Sequence, residues 1–233
     1  MALPLTGISS MATRQLLAEV ATAFERQAGR RLEFESVGGV DAARRVQAGE
    51  RFDVVVLASD AIDRLIDTRR LAQGSRVDLV RSPVAMAVRA GTPRPDVNSE
   101  AAVRQAVLSA RSLGYSTGPS GVHLARQFER WGIAEAVKQR IVLAPPGVSV
   151  GTLLARGEVE FGFQQLSELM HQDGIVVIGT LPEPIAFITT FSAGLPVTPG
   201  ATPASADAVR DWLAFMTSPL AVQTMRHHGL EPA

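Results

Sequence analysis

Apolar runs of strand character alternate along this chain with stretches whose apolar positions recur every three or four residues, the helical spacing. Leu3 to Ile8 is a short apolar run that predicts a strand, and Ser10 to Ala28 carries the helical period behind it. Arg31 to Val37 alternates through Leu32, Phe34 and Ser36 and predicts a strand, with a helix from about Val40 to Ala48 opened by Gly38-Gly39. Phe52 to Ala58 is too continuous and too β-branched to be half-exposed, which predicts a buried strand. A helix over Asp60 to Thr68 follows. This β-α-β-α-β order implies a parallel sheet with right-handed crossovers.

The pattern then repeats. Val84 to Arg89 predicts a strand closed by Gly91-Thr92-Pro93-Arg94-Pro95, the clearest linker-like stretch. Helices are expected over Glu100–Ala110, Val122–Trp131 and Ser149–Gly157, with a short one from Ser167. Strands are expected over Ser112–Ser116, Ile141–Ala144, Val159–Phe163 and Ile175–Ile178. After Pro182-Glu183-Pro184, Ile185 to Phe191 predicts a returning strand, and Asp207–Met216 and Leu220–His228 predict terminal helices. The expected fold class is α/β with two lobes, each a mostly parallel sheet flanked by helices. Lobe 1 would be discontinuous (1–86 plus 188–233), lobe 2 would be 87–187, and two strands would cross between them.

Composition narrows the function classes. Lys plus Arg and Asp plus Glu each number 23 in 233 residues, so no whole-protein field draws the chain to nucleic acid or membrane. With no cysteine, thiol catalysis, disulfides and cysteine-held metal are excluded. No stretch is long and apolar enough for membrane insertion, and the first residues lack the basic and apolar regions of a signal peptide. A cytoplasmic monomer is the expectation for the sequence as written, or a periplasmic one if a leader has been removed.

Four strand-to-helix junctions gather small and hydroxyl residues: Ser9-Ser10, Gly38-Gly39, Ser116-Thr117-Gly118-Pro119-Ser120-Gly121, and Pro146-Gly147-Val148-Ser149. Ligands of open α/β sheets collect at the carboxyl ends of strands, where helix N-termini offer unpaired amides and a positive dipole end. Serine adds a donor without bulk, and glycine lets an anion approach the backbone. Any one junction is explained as well by ordinary capping. Four of them point to a small anionic ligand bound without a cofactor or metal.

Several segments give the chain a family resemblance. They are Gly7-Ile8-Ser9-Ser10-Met11, the run Ala43 to Val54 (Ala-Arg-Arg-Val-Gln-Ala-Gly-Glu-Arg-Phe-Asp-Val), Tyr115 to Gly121, and Ala155-Arg-Gly-Glu-Val-Glu-Phe-Gly-Phe163. In this order, over nearly the whole chain, they resemble the molybdate-binding proteins of ABC transporters. The resemblance implies the type II periplasmic-binding fold, a ligand held between lobes by hydroxyls and amides, and an ABC-transporter permease as partner. Carried over by position, the ligand-facing residues are Ser10, Gly39 or Val40, Ser120, Val148 and Gln165. Two departures shift the expected ligand from molybdate toward an organic carboxylate. The family's serine-rich turn is Val37-Gly38-Gly39-Val40 here, and its tyrosine after the Gly-Phe strand is replaced by Gln164-Gln165. With Ser9, Ser116, Thr117, Gly121 and Ser149 from the junctions, and Gln164 beside Gln165, these residues make up the expected binding set; Arg44, Arg45 and His123 stand nearby.

The aconitate isomerases form a second branch of the same resemblance. A cofactor-free isomerase would move an allylic proton, which needs a base and a way to hold the developing enolate. His123, Glu168 and Asp41, each just inside a helix beside a junction, are the candidate bases. Gly147-Val148-Ser149-Val150-Gly151 also matches a hydrolase nucleophile motif, with His171, His227 or His228 and Asp173 or Asp207 as partners in the right order. Against it, Pro145-Pro146 interrupts the approach strand and no HGGG-type segment is present. Trp131 and Trp212 are expected in the core.

Overall fold

The structure, a computed structural model, describes residues 4–145, 147–197 and 203–233. The chain opens with β1 (Leu5–Ser10), a 3-10 turn at Met11–Thr13, α1 (Arg14–Ala28), β2 (Leu32–Val37), α2 (Gly39–Gln47), β3 (Val54–Ala58) and α3 (Ser59–Asp67). The long β4 (Val77–Arg89) is followed by α4 (Glu100–Ser109), β5 (Leu113–Tyr115), α5 (Pro119–Arg130), α6 (Ala134–Val137) and β6 (Ile141–Leu143). Next come α7 (Val150–Arg156), β7 (Phe161–Gln165), α8 (Leu166–Leu169) and β8 (Ile175–Thr180). β9 (Ile188–Gly194), α9 (Pro203–Phe215), α10 (Pro219–His227) and β10 (Glu231–Pro232) complete the chain. It forms two compact units, Met1–Arg81 with Thr190–Ala233, and Ser82–Thr189; β4 and β9 run through both.

In the first unit β1 lies between β2 and β3, parallel to both, and β9 adds antiparallel to β3. β3 shows why its sequence is an unbroken apolar run. Val54, Val56 and Ala58 enter a core built with Leu16, Leu17, Val20, Phe24 of α1 and Trp212 of α9. Val55 and Leu57 point the other way, into a core with Val46 of α2 and Ile62 and Leu65 of α3. Helices on both faces leave no polar side for the strand to show.

The second unit repeats this arrangement. β5 pairs in parallel with β6 and β7, while β7 and β8 pair antiparallel to β4. Val84, Met86 and Val88 of β4 share one core with Phe161 and Phe163 of β7, Leu124 and Phe128 of α5. Ala85 and Ala87 face a second core with Val150, Leu153 and Leu154 of α7.

Several elements differ from the sequence expectation, among them β10, which has no counterpart in it. β4 begins at Val77 rather than Val84, because β10 covers its polar first half through Glu231 opposite Arg81 and Pro232 opposite Val80. The returning strand starts at Ile188 rather than Ile185; Ile185 is instead buried in the core that holds Val84. α6 has no counterpart in the expectation, being a single turn. Leu3 of the expected first strand and Pro146 of the fourth junction lie outside the described residues.

Candidate functional site

The first unit holds two of the four junctions side by side, because β1 and β2 are adjacent and Ser10 stands opposite Val37. Ser9 is fully buried and shares a 2.8 Å hydrogen bond with the Ser36 hydroxyl. Ser10 is half-buried; its Oγ accepts a long bond from the Ala12 amide at 3.4 Å. The Ser10 hydroxyl lies 3.6 Å from where a side chain on Gly39 would begin, so the absent Cβ keeps that space open. In α2 the Ala42 amide bonds the Gly38 carbonyl, which leaves the amides of Gly39, Val40 and Asp41 without a helical partner by position. The Val40 side chain is 57% exposed at this helix start.

The charged groups near that turn are paired with each other. Arg44 donates to Asp41 at 2.8 Å. Arg45 is held between Glu35 and Glu50, and those bonds lower both carboxyls and raise the guanidinium further above its ordinary value. Asp41, Arg44 and Arg45 thus form surface ion pairs, and the donors of this turn are backbone amides and hydroxyls.

In the second unit Gly118 caps α5 and Pro119 takes its first position, where the missing N–H costs nothing. The Val122 amide bonds the Gly118 carbonyl, so the amides of Ser120 and Gly121 are the ones left over by position. Ser120 is buried, Ser116 half-buried and Thr117 exposed. Gly121 has a steric reason: a Cβ there would stand 1.7 Å from the Ser116 carbonyl oxygen.

At the start of α7 the expected residues serve the protein itself. Ser149 is the N-cap, accepting the Thr152 amide at 3.0 Å, and its hydroxyl shares 2.9 Å with Thr152 Oγ1. Its partners include no imidazole, so it has the surroundings of a cap rather than of a nucleophile. The Val148 amide donates to the Pro145 carbonyl at 3.0 Å. Gln164 is buried and used at both ends, accepting the Val150 amide at 2.8 Å and donating to Glu168 Oε1 at 2.8 Å. Although part of the Glu168 side chain reaches solvent, close packing around its carboxyl pushes the pKa up to about 7, against the Gln164 bond, which lowers it.

Gln165, on the other face of β7, is also buried; its Nε2 donates to Thr189 Oγ1 at 2.7 Å, and its Oε1 has no protein partner. The Oγ atoms of Ser82 and Ser167 are likewise buried and unpartnered. His123 stacks on Phe187 at 4.2 Å between ring centroids and 12° between planes. Burial lowers its pKa, with Arg130 and Arg126 adding to the effect and the Ile185 carbonyl opposing it. Residues missed from sequence are Ser36, Ser82, Phe187 and Thr189. All lie in or beside strands, where only pairing reveals what a polar side chain touches.

A family model described as bacterial extracellular solute-binding protein matches residues 5–231. The chain is 37% identical to an aconitate isomerase from a Pseudomonas species, over 98% of this chain and 87% of that protein. Among solved structures it resembles the periplasmic molybdate-binding protein of Azotobacter vinelandii, with a TM-score of 0.77 at 19% identity, covering 97% of this chain and 98% of that one. The sulfate-binding protein SubI of Mycobacterium tuberculosis gives 0.74 at 17% identity, covering 100% and 88%. At such identities the likeness is one of fold: the type II periplasmic-binding fold.

Proposed function

We propose that this chain, which belongs to the bacterial extracellular solute-binding protein family, binds a small organic polycarboxylate of the aconitate class. The full-length relationship to an aconitate isomerase is the observation that carries this reading. The geometry agrees with it. Helix-start amides at Gly39–Asp41 and Ser120–Gly121 suit carboxylate oxygens. Val40 and Val122 expose apolar side chains at the same helix starts, which suits a carbon skeleton better than a tetrahedral oxyanion. Arg44 and Arg45 are engaged elsewhere, so recognition falls to neutral donors.

The test is a thermal-shift series. Trans-aconitate, cis-aconitate or citrate at a hundredfold excess over Kd should stabilise the protein by about 2.7 kcal/mol. Molybdate, tungstate and sulfate should leave it unmoved. Stabilisation by the metal oxyanions alone would overturn the proposal and favour an oxyanion carrier serving an ABC-transporter permease.

A second reading, isomerisation of the bound acid, is favoured by a specific observation. The second unit holds two titratable groups that burial pushes toward their uncharged forms, His123 with its pKa lowered and Glu168 with its pKa raised to about 7. A neutral imidazole can accept a proton and a protonated carboxyl can donate one, the two roles an allylic proton shift needs. Turnover of trans-aconitate to the cis isomer by the purified protein tests it; binding without turnover removes it.

A further inference from the structure

The second unit places several unpartnered polar atoms on or against one face of its sheet. Val84 of β4 donates its amide to the Phe187 carbonyl and stands opposite Gln165 of β7. Alternation along β4 places Ser82 on the same face as Val84, and Gln165 shares its face with Phe163 and Phe161, members of the core that holds Val84. α5 packs over this face through Leu124 and Phe128. Its His123 lies flat on Phe187, the residue whose carbonyl holds Val84. Three side chains here bear buried atoms with no protein partner: Ser82 Oγ, Gln165 Oε1 and His123 Nε2. Gln165 and Ser82 are themselves almost wholly enclosed.

His123 is the reactive member of the group. It stands four residues after Pro119, in the helix whose start bears the Ser120 and Gly121 amides. The Phe187 stack orients the ring. The Ile185 carbonyl engages the imidazole and the buried Nε2 has no protein partner, so the ring keeps one lone pair unsatisfied by the fold.

We propose that His123 is a catalytic residue, its Nε2 carrying the proton that moves in the allylic shift, with Phe187 and the Ile185 carbonyl as its positioning groups. This rests on the isomerase reading above. Nε2 takes a proton from the methylene carbon that lies between a carboxylate and the C=C bond. The released C–H pair forms the new double bond, the old π pair moves to the far carbon, and that carbon takes the proton back from Nε2. Nothing is oxidised or reduced and no co-reactant is needed. Negative charge spread onto carboxylate oxygens in the intermediate would be held by the Ser120 and Gly121 amides. Only a neutral imidazole can begin this cycle, and its buried position favours that form. The charged groups acting on it are Arg126 and Arg130 of its own helix; the facing segment Ile185-Ala186-Phe187 carries no charge.

The experiment follows trans-aconitate turnover and binding in parallel. His123→Phe keeps the flat stack on Phe187 but removes the lone pair; turnover should fall more than about a thousandfold while aconitate affinity changes less than about tenfold. In His123→Ala, free imidazole should restore part of the turnover. Wild-type kcat/KM should fall on the acid side, with its limb below the ordinary histidine value. Wild-type turnover retained in His123→Phe would overturn the proposal, as would equal loss of binding and turnover with no imidazole rescue. A wild type that binds aconitate without isomerising it would remove the isomerase reading and this role with it, leaving the binding function intact. No aconitate binding at all would remove the proposed function too. Should His123→Phe fail to fold, the imidazole rescue and the wild-type pH limb decide the matter alone.

Discussion

The two units apply the same amide-and-hydroxyl principle at helix starts but differ in what surrounds it. In the first, every charged group near the α2 turn is paired with another at the surface, Asp41 with Arg44, and Arg45 with Glu35 and Glu50. In the second, Gln165 is buried and His123 and Glu168 are half-buried beside their helix starts, and burial pushes both of these titratable groups toward their uncharged forms. Under the isomerase reading, the contrast separates binding from chemistry. Solvated ion pairs tune little, whereas enclosed polar groups without full partners are where protonation can be controlled.

The two junction glycines give the largest contrast. Gly121→Ala would drive a methyl to 1.7 Å from the Ser116 carbonyl, backbone that cannot swing aside. A loss of about 4 kcal/mol or more is expected, read as a fall in Tm of more than about 10 °C. A variant with unchanged Tm would show that the Ser116 carbonyl gives way to the methyl.

Glu168 sets the next effect. Its folded pKa of about 7 lies above the ordinary 4.5, so the folded state holds the proton more tightly than the unfolded one. The stability tied to that proton is intact below about pH 4.5 and is lost as pH rises through 7. Across that window wild type should lose about 2 kcal/mol relative to Glu168→Gln, allowing for the exposed part of the side chain. Parallel stability profiles for the two proteins would refute the burial of this carboxyl.

Gly39→Ala is the counterpart in the first unit. Its methyl meets only the Ser10 hydroxyl at 3.6 Å, an ordinary contact. Folding stability should therefore change by less than about 1 kcal/mol, while carboxylate affinity, by calorimetry, falls about tenfold because the methyl fills the anion's approach. Unaltered affinity would remove this turn from the ligand's contacts.

Arg44→Ala should do least. It breaks one exposed pair and should shift stability by no more than about 0.5 kcal/mol in chemical denaturation. A larger loss, or a fall in ligand affinity, would show that Arg44 leaves Asp41 to meet the anion.

The α/β class and the order of most elements were legible from the chain, since helical and strand periods are local and the runs at Val54–Ala58 and Phe161–Phe163 can sit only between two helical layers. The junctions were legible too, because Ser, Gly and Pro at helix starts follow from backbone geometry that a few residues determine. What each junction residue does was decided only by tertiary structure. Gln164 and Gln165 are neighbours of the same type, yet strand alternation sends one to the α7 amide and Glu168, and the other to Thr189 with an oxygen left over. His123 is one of three candidate bases from sequence, with nothing local to set it apart from the other two. Its enclosure depends on Phe187, distant along the chain, and on the β4 pairing that brings Phe187 to it. Local pattern records backbone preference; burial, partners and protonation depend on contacts between distant segments, which no short window of sequence contains.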